Sequence, residues 1–179
     1  MERDGNGSRF TFYQQINNGE YLLWLHQKIS TLGYSNSELP EINIIKEING
    51  KISYKYKFKT YTYSSFNWIY DEFYPNNRKI IPTNIDKYLS PIALSYWIMA
   101  DASLYKNRGL KFNSNHFTLK EIKILSSVLE KKYTINTSIY KTGIINQYSL
   151  YIPKSNLDLL RKIIKPYIHP TMIYKIILI

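Results

Sequence analysis

The residues best placed to do chemistry lie close together. Lys51, Lys55, Lys57 and Lys59 recur with Ser53 on one face of a predicted strand, and Ile52, Tyr54, Tyr56 and Phe58 take the other face. Successive side chains of an extended chain point to opposite sides, so this pattern sets a row of ammonium groups on one surface. Tyr61 and Tyr63 follow. Lysines in such a row can meet phosphates while tyrosine rings meet bases. Arg108, Lys111 and Lys141 are further cations counted with this surface. The bland alternative is an ordinary solvated strand face. The whole chain tips the balance: 24 Lys and Arg oppose 13 Asp and Glu in 179 residues, a formal net charge of +11. Such an excess favours a polyanionic partner.

Composition also excludes chemistries. With no cysteine there is neither a disulfide frame nor a thiolate metal site, and three scattered histidines lack zinc spacing. No run reaches the ~20 apolar residues of a membrane-spanning helix, so no membrane partner is expected. The apolar tail, 176–179, is expected to pack or pair. The segment from Met1 to Asp4 has no signal-type apolar region and no Arg/Ser-rich presequence. Ile, Asn, Lys and Tyr are used heavily and Ala and Gly sparingly, the bias of an A/T-rich genome. An organelle-encoded, mitochondrial protein is the corresponding expectation.

Stepping along the chain, residues 8–16 suit a strand and 19–32 a helix, with Tyr21, Leu22, Leu25, Ile29 and Leu32 at helical spacing and Gly33 as its stop. Residues 42–48 and 51–58 form a predicted hairpin about Asn49-Gly50. The apolar parity flips beyond it, which predicts a bulge or bend near Thr60. A second helix spans 65–73. After a polar connector, Ser90-Pro91 opens a helix running to Asp101. Residues 110–113 suit a strand. Thr118 and Glu121 form a capping box for the next helix. Residues 135–141 and 145–152 make a second hairpin about Thr142-Gly143, and Ser155 caps a last helix to Lys165.

The order strand, helix, hairpin, helix occurs twice. This predicts an α+β protein with a pseudo-two-fold pair of halves, residues 1–82 and 83–179. The second copy is preceded by the 90–101 helix. Mirroring the distance from Asp101 to Leu110 back from Phe10 lands on Met1, so the first half is expected to lack its corresponding helix.

The segment Leu89-Ser-Pro-Ile-Ala-Leu-Ser-Tyr-Trp-Ile-Met-Ala-Asp-Ala102 resembles the second motif helix of the LAGLIDADG homing endonucleases. Asn113-Ser-Asn-His-Phe-Thr-Leu119 resembles a strand-to-helix corner of that family. Lys165-Pro-Tyr-Ile-His-Pro-Thr-Met-Ile-Tyr-Lys175 resembles its closing segment. Phe73-Tyr-Pro75 and Lys79-Ile-Ile-Pro82 resemble the end of its first half. The resemblance implies two LAGLIDADG-type halves whose antiparallel sheets form a saddle over nucleic acid. It implies that Asp101 is the acid that binds divalent metal, with Lys79 and Lys175 as basic residues beside it. It implies that Ser95 is a small residue for close helix–helix contact. Magnesium would be the cofactor if the chain is catalytic, because Mg²⁺ prefers hard oxygen ligands; otherwise none is expected. Two positions depart from the family pattern: Ala100 replaces an acid and Ala102 a glycine.

Without a twin helix, the 90–101 helix is expected to expose Leu94, Ser95, Trp97 and Ile98 to another protein chain. The favoured function is a nucleic-acid binder that does not cleave on its own, with RNA preferred and DNA possible. It would act as an intron maturase or as a subunit of a ribonucleoprotein such as the mitochondrial ribosome. The alternative is an active Mg²⁺-dependent DNA homing endonuclease, completed by a partner chain or an upstream segment. A protein-interaction module with incidental charge is a third reading.

Overall fold

The computed structural model describes residues 1–46, 50, 52–105 and 108–177. Their contacts divide into two compact units, residues 1–72 and residues 73–179. In the first unit β1 (Glu2–Asp4) pairs with β2 (Gly7–Arg9). Then follow β3 (Thr11–Gln15), α1 (Gly19–Thr31), β4 (Ile42–Lys46), β5 (Ile52–Lys59) and α2 (Asn67–Phe73), with strand order β3-β5-β4. In the second unit α3 (Pro91–Asp101) runs into β6 (Ala102–Tyr105). Next come β7 (Gly109–Phe112), α4 (Leu119–Tyr133), β8 (Ser138–Lys141), β9 (Tyr148–Pro153) and α5 (Leu157–Ile164), with strand order β6-β7-β9-β8. Every pairing is antiparallel. The first unit thus runs hairpin, strand, helix, hairpin, helix, the second runs helix, hairpin, helix, hairpin, helix, and the α+β expectation holds.

Local chemistry explains the helix boundaries. Ser90 accepts from Ala93 N at 3.2 Å, and Pro91 supplies a preset φ at the first helical position. The capping box at α4 forms in full: Glu121 N donates to Thr118 Oγ1 at 3.3 Å, and Thr118 N donates to the Glu121 carboxylate at 2.6 Å. Arg78 reaches the same carboxylate at 2.9 Å. Burial pushes the Glu121 carboxyl up, but the Thr118 hydrogen bonds and Arg78 outweigh it and the net shift is downward. α1 ends as expected, where Gly33 takes a φ of 79° and its N–H bonds Ser30 O at 2.8 Å.

The core of the second unit is a layer between sheet and helices. Leu110, Phe112, Leu150 and Ile152 from the strands meet Ile122, Leu125 and Leu129 of α4, Leu157, Leu160 and Ile164 of α5, and Leu94 and Ile98 of α3. Trp97 stacks on Phe112, ring centroids 4.1 Å apart. In the first unit, Phe58 packs against Phe12 at 4.9 Å and against the buried His26 of α1 at 5.0 Å.

Several expectations need correction. Leu94, Ser95 and Ile98 are fully buried, and Trp97 is partly buried on Phe112, so they do not form an exposed stripe. The reason is that α3 packs against α5 and the C-terminal turns, which consume its apolar faces inside the unit. Only Ile92, at 47% exposure, is a large apolar residue left outward on this helix. The unit boundary falls at 72 rather than 82. The connector joins the second unit because Ile81 enters its core and Phe73 packs on Tyr88 at 5.7 Å. β1 and β6 were not anticipated, while β8 and β9 are shorter than expected: Ile145 lies in the loop at 88% exposure. Ser155 does not cap α5, which begins at Leu157 after a tight turn. The bend near Thr60 is present: the ladder breaks at Phe10, whose N–H donates to Thr60 Oγ1 at 3.0 Å. Asn49 of the expected Asn-Gly turn lies outside the described residues, and Gly50 has a φ of 79°. The apolar tail packs through Ile176, which is buried; residues 178–179 are outside the described set.

The core sets the first prediction. Phe112→Ala removes a fully buried ring and should cost about 3–5 kcal/mol of stability in urea unfolding. Ile145→Ala in the exposed loop should change it by no more than about 0.5 kcal/mol. Comparable losses for the two would refute this assignment of the core.

Candidate nucleic-acid interface

The four-stranded sheet buries one face and turns the other outward. Along β9, Leu150 and Ile152 enter the core while Tyr151 points away from it. The register puts Lys111 opposite Tyr151, Tyr105 opposite Gly109 and Tyr140 opposite Ser149. Tyr105, Lys111, Tyr140 and Tyr151, with Arg108, Lys141, Thr142 and Ser149, line a concavity of about 420 Å³. The rings support one another edge to face, Tyr105–Tyr151 at 6.2 Å and Tyr140–Tyr151 at 5.7 Å. Lys111 Nζ stands 6.0 Å from the Tyr105 ring. Gly109 makes this packing possible, because a Cβ there would come within 2.2 Å of Ile152 O and 2.7 Å of the Tyr151 hydroxyl. Burial and the neighbouring Tyr140 phenol raise the Tyr151 pKa against the opposing Arg108 charge. The hydroxyl therefore stays a hydrogen-bond donor at neutral pH.

The first unit repeats the arrangement more sparsely. Thr11 faces Lys59, Tyr13 faces Lys57 and Gln15 faces Lys55 across β3 and β5. Phe12 and Phe58 take the opposite, packed face. Tyr13 is 64% exposed, and Lys55 Nζ lies 6.0 Å from its ring. Lys59 is engaged differently. It donates to Glu2 at 2.8 Å, and Arg9 donates to the same carboxylate at 2.6 Å. The hydrogen bonds from Lys59 and then Arg9 hold the Glu2 pKa at about 2. Lys59 is thus partly neutralised, whereas Lys55 and Lys57 carry the open charge of the row. Lys51 lies outside the described residues. Tyr61 is exposed beyond the strand. Tyr63 is committed to the fold: its hydroxyl donates to Gly33 O at 3.0 Å and its ring packs on Phe66 at 5.2 Å.

At the end of α3, Lys175 lies within electrostatic reach of Asp101. Lys175 is buried and its Nζ donates to Met99 O at 2.5 Å. Burial lowers the Lys175 pKa, and the negative charge of Asp101 opposes that shift. Lys79 is placed differently, exposed with its Nζ 5.8 Å from the Phe117 ring. Among the described residues no three His, Cys, Asp or Glu side chains cluster as a metal site. Asp101 alone fits one role: Mg²⁺ is commonly held through one or two carboxylates, with water and phosphate oxygens completing its shell.

The model of the LAGLIDADG DNA endonuclease family matches residues 1–160. The chain belongs to this family. It is 43% identical over 174 residues to the cytochrome b mRNA maturase bI2 of Debaryomyces hansenii, covering 97% of this chain and 66% of that protein. It is 41% identical to the cytochrome b mRNA maturase bI2 of Saccharomyces cerevisiae, covering 97% of this chain and 43% of that one. The chain thus spans from under half to about two thirds of the length of these relatives. In fold it is similar to the homing endonuclease I-WcaI bound to its DNA recognition sequence. The TM-score is 0.85 at 23% identity, over 99% of this chain and 80% of that one.

Arg108, Lys111 and Lys141 do share one surface. Tyr13, Tyr105, Tyr140 and Tyr151 were overlooked. Their alternation with Lys111 and Lys57 becomes visible only once the cross-strand register is known.

The Asp101–Lys175 pair sets a pH prediction. Lys175 should titrate below its ordinary 10.5 when followed by carbon NMR. Asp101→Asn, which removes the opposing negative charge, should push it lower still. The folded pKa is depressed, so burying the cation costs stability at neutral pH. That cost should fade as pH rises from the folded value through 10.5. A Lys175 titration at or above 10.5 would refute the burial argument.

Proposed function

We propose that this chain is an organelle-encoded, nucleic-acid-binding protein of the intron-maturase type, acting in the mitochondrion, with RNA as its preferred ligand. The observation that carries this reading is the concave sheet face lined by Tyr105, Tyr140, Tyr151, Arg108, Lys111 and Lys141. Cations on such a face neutralise phosphates and release counterions. The tyrosine rings offer stacking surfaces to unpaired bases, which folded RNA presents in loops and bulges. The mRNA-maturase relatives, at 43% and 41% identity over nearly the whole chain, favour the same ligand. A maturase or another ribonucleoprotein role needs binding and positioning, not strand scission. The chain is proposed not to cleave by itself, since Asp101 joins no cluster of metal-ligating side chains among the described residues.

A second reading has a specific observation behind it. Asp101 and Lys175 lie within electrostatic reach at the end of α3, an acid able to anchor Mg²⁺ near a cation able to offset phosphate charge. Bound metal would supply a polarised phosphate and an activated water. The chain's own part would be to hold the metal through Asp101 and to steady the charge through Lys175. A second carboxylate from a partner chain or from a further segment would complete such a DNA endonuclease.

Binding and scission separate the readings. With labelled structured intron RNA and duplex DNA, in the presence and absence of Mg²⁺, the expected result is RNA binding without Mg²⁺-dependent cutting. Arg108→Gln and Lys57→Gln should each lower the salt slope of binding by about one. Tyr140→Ala should cost about 1–3 kcal/mol on RNA with unpaired bases. Site-specific DNA cleavage abolished by Asp101→Asn would overturn the non-cleaving reading and establish the endonuclease.

A further inference from the structure

A second basic surface lies on the far side of the same unit. α4 packs its inner residues, Ile122, Leu125 and Leu129, into the core beneath the sheet. Its outer side carries Lys120, Lys123, Ser127 and Lys131, three to four residues apart and hence in one stripe. From Lys120 to Lys131 the stripe covers about 16 Å of helix axis. It forms one wall of an open groove of about 930 Å³, floored by Leu119, Ile124 and Val128 and bounded opposite by Thr83 and Asp86. Lys132, at the end of the groove, donates to Asp86 O at 2.6 Å and so braces the two walls. Among the described residues, none of the ion pairs involves Lys120, Lys123 or Lys131.

A solvated helix face usually mixes the two signs of charge. α4 has only two acids. Glu121 is consumed by the cap and by Arg78, which leaves Glu130 as the other. The stripe is therefore nearly all of one sign, and the open groove it lines has an apolar floor and one acid, Asp86, against four lysines. That combination suits a sugar–phosphate backbone, with phosphates at the lysines and riboses against Ile124 and Val128. Thr83 and Ser127 add hydroxyls that can bond a phosphate or a ribose 2′-OH. Among the described residues no aromatic ring lines the groove, so it offers no platform on which to stack a base. It would hold a backbone without reading sequence.

We propose that the groove along α4 is a second nucleic-acid surface, which takes the backbone of an A-form RNA duplex independently of the sheet face. The helix-on-sheet layer separates the two surfaces: Tyr151 and Lys111 face away from the core that α4 covers. One local segment of nucleic acid cannot occupy both. The two sites would therefore hold different segments of a folded RNA, or an RNA and a DNA, at once.

The test uses the full chain and a labelled, mixed-sequence RNA duplex, with circular dichroism to verify folding. The triple variant Lys120→Gln, Lys123→Gln and Lys131→Gln changes only exposed side chains. It should weaken duplex-RNA binding by about tenfold or more and lower the salt slope by about two to three. The double variant Arg108→Gln and Lys111→Gln should leave a duplex-RNA component that the triple variant lacks. Binding unchanged in the triple variant would overturn the proposal and leave the groove to solvent or to a protein partner. Complete loss in the double variant alone would also overturn it, while the sheet-face reading would stand. An equal loss on duplex DNA would overturn the preference for RNA.

Discussion

The second unit depends on burying one face of a four-stranded sheet. Leu110, Phe112, Leu150 and Ile152 supply that face, and α3, α4 and α5 cover it. Once the apolar residues are committed there, strand alternation forces the intervening positions outward, and their chemistry becomes available for something other than folding. In this chain those positions are tyrosine, lysine and serine. The same constraint places the outer stripe of α4 in solvent, since its inner stripe is needed to cover the sheet. Segregation of this kind lets a protein of net charge +11 fold without placing many cations together in its interior. Among the described residues the exception is Lys175.

How much of this could be read from the sequence follows from the range of the interactions. Signals confined to a few residues were legible: Ser90-Pro91, the Thr118–Glu121 box, the Gly33 stop and the alternation from Ile52 to Phe58. Each is fixed by backbone geometry within a turn or two. Contacts distant in sequence were not. Tyr63 looks like an exposed ring in a lysine-rich strand until Gly33 and Phe66 are brought to it. Lys59 looks like an open cation until β1 delivers Glu2, 57 residues away. β1 and β6 are too short to show periodicity, and only pairing with β2 and β7 defines them. The error at Leu94 and Ile98 has the same origin. A helix that is apolar all round does not announce which face its own unit will cover, and here α5 and the terminal turns take more of it than expected.

The candidate site at the end of α3 is where local rules are broken. A helix C-terminus carries partial negative charge, so an acid there is disfavoured by about 0.3–1 kcal/mol and a cation is favoured. Asp101 occupies that position against the preference. Lys175 is favoured electrostatically but is buried, and burial is costly for an ammonium group. The two faults offset each other. The lysine satisfies the buried helix-end carbonyl of Met99, while the negative charge of Asp101 and the helix end favour the cation that burial disfavours. Lys175 is held chiefly by its bond to Met99 O, with Asp101 as a nearby charge rather than a contact ion pair. A fold seeking stability alone would do as well with two apolar residues. An acid set against the helix dipole beside a buried cation departs from local preference, and that departure marks the end of α3 as a candidate site.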